Sequence, residues 1–376
     1  MNPIFQNHET VKLGLHSPLV ASLVIFGGLL ALILLTTRRR PADSFLGRGT
    51  TNQLRGIAIL LVLSGHLGIH LLNEEARPFF PVLGAYGVSL FFALSGFGLT
   101  MSASKKPFIF KEFIRRRLMK VMLPYWIITL IILVADHFLL DKNYGTADII
   151  LTFLGANINE ATRNIDYVRW YITVLLIWYC VFALFAGCGI DKRATAWAMV
   201  LTGTALIMFS YYVHPLGYGY LSFPFGVIVA LYHRSLGRIP EKISTRKIWI
   251  LSLCSCIFLF FLKNSLLAAL EGKIPSIVIQ FATELSLLLF SLTAIIVANL
   301  LRTQKSGFLT ISGDISYALF LLHMIFMLKY DFFLFRWDLS VSFWAYLIFL
   351  FALSRLAERF FGIISRPGSP QPRATD

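Results

Sequence analysis

Eleven apolar runs divide the chain, at about 17–36, 52–72, 82–101, 121–140, 170–188, 195–213, 218–233, 248–263, 276–300, 308–329 and 340–361. A helix needs about 20 such residues to cross a hydrocarbon layer about 30 Å thick, and in that layer only helices and closed barrels satisfy their own backbone. Continuous runs of this length predict helices rather than alternating strands. Hydrophobic residues make up 57% of the 376 and charged residues only 14%, so no separate soluble domain of useful size remains once the runs are removed. The expectation is an all-α, polytopic integral membrane protein with about eleven transmembrane helices.

Basic residues set the expected orientation. Arg38, Arg39 and Arg40 follow the first run at once. A cleaved leader would carry its charge before the run and small residues after it, so this run is expected to stay as a span with the N-terminus outside. The loop after the third run holds Lys105, Lys106, Lys111, Arg115, Arg116, Arg117 and Lys120, and must be cytoplasmic. Alternating eleven spans from that start puts 25 of the 34 Lys and Arg on the cytoplasmic side, together with the C-terminal tail. The net charge of +15 therefore reflects membrane topology, because the cations sit in short loops between apolar runs rather than on a nucleic-acid-binding face. Three regions are expected: 1–49, an extra N-terminal span and basic linker; 50–362, the main membrane domain; and 363–376, a disordered cytoplasmic tail. Cys180, Cys188, Cys254 and Cys256 fall within or at the ends of apolar runs, which argues against a disulfide framework.

The second run, NQLRGIAILLVLSGHLGIHLL, carries Arg55 near its start and His66 in otherwise apolar surroundings. Eleven residues of helix separate them by about 16 Å along the axis and only about 20° around it, so they share a face. With Arg55 at the surface, His66 lies near mid-bilayer, where an ionisable group marks a functional site by default. A neutral imidazole there serves as a general base or as a nucleophile that carries a group briefly; the bland reading is a ring hydrogen-bonded to a neighbouring helix. Arg55 either anchors an anionic ligand or snorkels to lipid phosphates. His66 and His70 have metal-ligand spacing, but no third ligand accompanies them and no metal is expected.

Three segments read together resemble the acyltransferase 3 family of membrane-bound acyltransferases: QLRGIAILLVLSGH, GVSLFFALSGF at 87–97 and FIRRRLMKVMLPYW at 113–126. WYITVLLIWY at 170–179, FPFGVIVALYHR at 223–234 and ISYALFLLH at 315–323 extend the resemblance over about residues 50–360. It implies transfer of an acyl group, acetyl foremost, from acyl-CoA to a hydroxyl of a carbohydrate or cell-envelope glycan such as O-antigen or exopolysaccharide, in a bacterial inner membrane. It matches His66 to the family's essential histidine and Arg55 to its paired arginine. Ser89, Leu175 and Lys120 depart from the family pattern, with Ser89 and Leu175 standing where many members carry acidic residues.

Other residues are placed by chemistry. Arg116, Arg117 and Lys120 are candidates for the phosphates of the donor, with anionic lipid head groups as the rival partner. Glu284, inside the ninth run, is expected to be packed in protonated form or to pair with a cation such as His66 or His323, and joins the catalytic candidates. His323 and Tyr317, in the tenth run, are candidates for lining the acceptor cavity. The chief alternative is a transporter or flippase in which His66, Glu284 and His323 relay protons; a non-catalytic family member is a third reading.

Overall fold

The computed structural model describes residues 12–80, 83–105, 108–187, 191–213, 216–236, 254, 273 and 275–364. Among the described residues, eight helical segments are long and apolar enough to cross a membrane: Pro18–Leu35, Arg48–Leu71, Arg77–Ala103, Phe110–Leu140, Tyr167–Ala186, Arg193–Tyr212, Ser276–Leu300 and Leu339–Ile364. The protein is helical and membrane-spanning, as the apolar runs require. Two expected spans look different. The run at 308–329 is a pair of helices bent by 71°, a broken span or a re-entrant loop. The run at 218–233 yields a helix only over Ser222–Leu231, about 15 Å at 1.5 Å per residue, too short to cross alone. The run at 248–263 and the tail at 365–376 lie outside the described residues.

In chain order the helices are α1 (Pro18–Leu35), α2 (Arg48–His66), α3 (Gly84–Ala103), α4 (Phe110–Arg117), α5 (Leu123–Leu140), α6 (Thr146–Phe153), α7 (Glu160–Ile165), α8 (Trp170–Gly187), α9 (Lys192–Tyr212), α10 (Ser222–Leu231), α11 (Ser276–Leu300), α12 (Gly307–Asp314), α13 (Ser316–Met324) and α14 (Leu339–Ile364). Pro124 follows directly on the π-helical turn at Leu118–Met122 within the continuous segment Phe110–Leu140, where the interrupted hydrogen-bond ladder accommodates its missing N–H. Two three-residue strands, β1 (Thr37–Arg39) and β2 (Gln304–Ser306), pair antiparallel with Arg38 opposite Lys305 and clip the end of α1 to the start of α12. Beside this clip Asp43 accepts from the Thr50 amide at 3.0 Å and pairs with Lys305 at 3.0 Å. Partial burial would raise its carboxyl, but Lys305 and Thr50 hold it below the usual carboxylate range.

The centre of the bundle is α2, packed along α3 on one side and α12 on another, while α3 packs along α10. Lipid offers no hydrophobic drive for helices to associate, so close packing through small residues carries the association. A Cβ on Gly313 would overlap the Asn52 carbonyl oxygen, and one on Gly226 would overlap that of Ala93. Each glycine lets two backbones approach to a separation that no other residue permits.

The segment between α5 and α8 is built from α6, α7 and a 3-10 turn at Tyr167–Arg169, pinned to α5. Tyr125 donates to the Thr152 carbonyl at 2.7 Å and Trp126 to that of Phe153 at 2.7 Å. Two of the segment's charges, Asp166 and Arg169, are buried and paired with each other at 3.1 Å.

Gly226→Val is expected to destabilise the protein by about 1–3 kcal/mol, the usual result of overpacking a tight contact. Gly98→Ala, at a position with nothing within 4 Å of the added atom, is expected to be neutral. Thermal unfolding of the two purified variants in one detergent checks this; equal midpoints would contradict it.

Candidate active site

His66 ends α2, and the chain continues through a π-helical turn at Leu67–Leu71 that contains His70. The imidazoles of His66 and His70 stack at 5.2 Å between centroids with 20° between planes. The His323 ring on α13 tilts against His66 at 5.1 Å, and Tyr167 meets His70 edge-on at 4.8 Å. His66 therefore faces other imidazoles across a helix interface.

The hydrogen bonds of His323 fix its tautomer. Its Nδ1 lies 2.9 Å from the Phe320 carbonyl and 3.2 Å from that of Leu319, and a carbonyl only accepts, so Nδ1 carries the proton. Nε2 is then the basic nitrogen. It is buried, as is His66 Nδ1, and neither atom has a hydrogen-bond partner among the described residues. An unmet buried polar atom costs about 1–3 kcal/mol, and two on rings 5.1 Å apart mark a place where a further polar group completes the set.

Arg55, at the opposite end of α2, opens onto a cavity of about 440 Å³. Its walls include Lys120, Tyr171, Leu175, Tyr179, Tyr317 and Phe320. Tyr317 donates to the Val121 carbonyl at 2.7 Å, inside a π-helical turn at Leu118–Met122 that also presents Lys120. Phe320 separates the cavity from the histidines, its ring 4.8 Å from Tyr171 and 5.9 Å from His323. Leu175, where the family's glutamate version has an acid, gives this cavity an apolar wall.

Arg116 and Arg117 line a second cavity of about 330 Å³, with Phe108, Phe113 and Phe182. Arg116 is exposed and bridged to Glu112 at 2.7 Å. The Arg117 guanidinium lies over Phe113 at 5.5 Å and over Tyr179 at 5.2 Å. Tyr179 lines the Arg55 cavity, so Arg117 stands in the wall between the two. The expected cationic set is thus divided, Lys120 with Arg55 and the two arginines next door.

Among the described residues Glu284 pairs with neither imidazole, so the cation-paired alternative of the two expected from the sequence is not the one found. Its buried carboxylate accepts from the backbone amides of Gly219 at 2.7 Å and Leu221 at 3.2 Å, and so braces the loop before α10. A carboxyl group inside an apolar run needs donors, and here a glycine-containing loop supplies them. Ser89 sits fully buried with its hydroxyl 2.7 Å from that of Ser222 and 2.9 Å from that of Ser291, joining α3, α10 and α11 without the charge an acid would bring. No group of three metal-ligating side chains converges among the described residues.

Two features were missed. Asp136, which reads as interfacial, is fully buried: Lys329 donates to it at 2.8 Å, and Tyr144 and Tyr330 each donate to it at 2.5 Å. Lys329 ends the π-helical turn Ile325–Lys329 that follows His323. The signal was present, since an acid and a lysine inside apolar runs are expensive unless they meet. The second is the N-terminal segment. Leu13 forms a parallel bridge with Leu72, and Lys12 donates to the His70 carbonyl at 2.5 Å. Lys12, burial first and Arg77 second, is lowered from its ordinary value.

Fold and site together define a helical, membrane-spanning protein in which three neighbouring imidazoles lie near a cavity lined by Arg55 and Lys120. The acyltransferase-domain family profile of acyltransferase 3 matches residues 51–357, and the chain belongs to that family. It is a membrane acyltransferase. Neither the curated proteins nor the solved structures yield a match.

Lys329→Met is expected to cost about 3–5 kcal/mol by leaving the Asp136 charge uncompensated, and Asp136→Leu combined with Lys329→Met to recover most of it. Thermal midpoints of the single and double variants check this; a double variant no more stable than the single would overturn the ion-pair account.

Proposed function

We propose that the protein moves an acyl group, acetyl foremost, from its coenzyme A thioester to a hydroxyl of a cell-envelope glycan in a bacterial inner membrane. The observation that carries the reading is the pair of buried ring nitrogens, His66 Nδ1 and His323 Nε2, without partners among the described residues, on rings 5.1 Å apart. One is the basic atom of its ring, and a hydroxyl brought between them meets a proton acceptor.

The Arg55 cavity supports approach of the donor from the cytoplasmic side. Its volume falls in the range of about 300–1,000 Å³ usual for small-molecule sites. Arg55 and Lys120 offer charge at its mouth, and Phe320 and Tyr171 give an apolar end next to the histidines, which suits a chain of phosphates leading to a thioester. Arg116 and Arg117 with their phenylalanines fit the remaining phosphate and a stacked base.

In the direct route His66 takes the acceptor's hydroxyl proton while the oxygen bonds to the thioester carbonyl carbon. The C–S bond then breaks, and the departing sulfur regains a proton from the imidazolium. In the two-step route the imidazole nitrogen itself bonds to the acyl carbon, sulfur leaves, and the acceptor oxygen then displaces the ring. Acyl-imidazole accumulates on withholding acceptor only in the second. The transporter alternative needs Glu284 as a relay member, and its bonds to Gly219 and Leu221 weigh against that.

His66→Ala is expected to lower acyl transfer about 10²–10⁴-fold, the worth of a positioned acid–base group. Radiolabelled acetyl transfer in membranes containing equal amounts of inserted protein checks this, and undiminished transfer would reject the role of His66.

A further inference from the structure

At the N-terminal end of α8 lies another cavity of about 440 Å³. Tyr167, Trp170, Tyr211, Tyr218, Ser210 and Gln280 line it. We propose that it is a glycosyl subsite, where a pyranose ring of the acceptor stacks a short distance from the hydroxyl being acylated. The proposal rests on the acyltransferase reading above and locates the acceptor within it.

The cavity is built rather than incidental. Trp170 and Tyr218 meet edge-to-face at 6.3 Å and 84°, forming a corner of two aromatic walls. Between them Gly217 has φ +151, and a Cβ there would overlap the Trp170 ring. The same loop is held by Glu284, 1% exposed, through the amides of Gly219 and Leu221. A carboxylate buried in an apolar helix is costly, and here its hydrogen bonds fix the wall of this cavity.

The lining chemistry selects the ligand. Tyr218 is 53% exposed and Tyr167 49%, so broad π faces are available for the C–H faces of a sugar. The Gln280 amide supplies directional hydrogen bonds for its hydroxyls, and the Ser210 hydroxyl, which accepts from Tyr220 at 3.0 Å, keeps its own proton to donate. A lipid tail has no use for the amide, and a phosphate head group calls for more cation than Arg163, the one cation among the described lining residues. Tyr and Trp also gather in interfacial belts, but a belt needs neither a concave wall nor a braced loop. The location is suitable as well: Tyr167 touches His70, which stacks on His66.

The test uses the full-length protein in nanodiscs, with acetyl-CoA and the delipidated envelope polysaccharide of the producing cell. Tyr218→Ala and Gln280→Leu are expected to raise the KM for polysaccharide about 3–10-fold, the range that an aromatic contact commands. Turnover at saturation and acceptor-free hydrolysis of acetyl-CoA should stay near wild type, and Tyr218→Phe should restore the KM. In a second arm Tyr218→Cys, placed in the His66→Ala background, is labelled with a membrane-impermeant maleimide, and the polysaccharide is expected to slow the labelling. Unchanged KM, or a KM change matched by loss of hydrolysis, overturns the subsite. So does protection by phosphatidylglycerol vesicles but not by polysaccharide. Protection by polysaccharide with no wild-type acetyl-CoA consumption would instead overturn the acyltransferase chemistry and leave the sugar subsite standing.

Discussion

The close approach of α2 to its neighbours is the constraint on which the remaining structure depends. Gly56 abuts the Leu309 carbonyl, Gly65 meets Gly84, and Ala58 presents its carbonyl to Gly87, so α2 is held along its length by backbone contacts. In lipid such contacts replace the hydrophobic drive that assembles soluble bundles. Because α12 and α13 form one bent pair, fixing α12 against the N-terminal half of α2 also determines where His323 meets His66 at the other end. Asn52 reinforces that docking by donating to the Thr310 carbonyl at 3.0 Å and to Asp314 at 2.9 Å.

Three π-helical turns recur beside the residues that matter: Leu67–Leu71 after His66, Leu118–Met122 around Lys120, and Ile325–Lys329 after His323. A π-turn disturbs the regular hydrogen-bond ladder and is common at functional sites. Here a side chain from another element takes up a carbonyl at or beside each one: Lys12 that of His70, Tyr317 that of Val121, and Tyr346 that of His323 at 2.8 Å. The N-terminal segment thus completes the end of the histidine helix, while α14, through Tyr346, performs the same service for α13.

The sequence made the membrane class and most spans legible, because hydropathy over 20 residues is a strong signal. It also made the shared face of Arg55 and His66 legible, since helical geometry alone relates them. Pairings across the bundle were not legible. Glu284 could as well have met a histidine as a loop amide, and nothing local to residue 284 says which. Asp136 with Lys329, 193 residues apart, and Arg169 with Thr129 and Asp166 are decided by tertiary packing. The bend after Asp314 and the shortness of α10 were likewise hidden, because apolar composition does not reveal where a helix breaks.

A buried imidazole in a membrane-spanning segment makes sense only if the reacting groups can reach it and bulk water cannot. Phe320 and Tyr171 close the Arg55 cavity on the histidine side with aromatic rings, while Tyr167 closes the other side against His70. On the proposed reading, a thioester and a hydroxyl enter from opposite ends of α2 and meet at a site screened from water at both. Excluding water matters because hydrolysis competes with transfer for any activated acyl group. The stacked histidines are then best seen as the shared floor of two half-sites. The buried ion pairs on α5 and before α8 follow from that arrangement, since helices that must surround a polar centre in lipid can afford charges only where each finds a fixed partner.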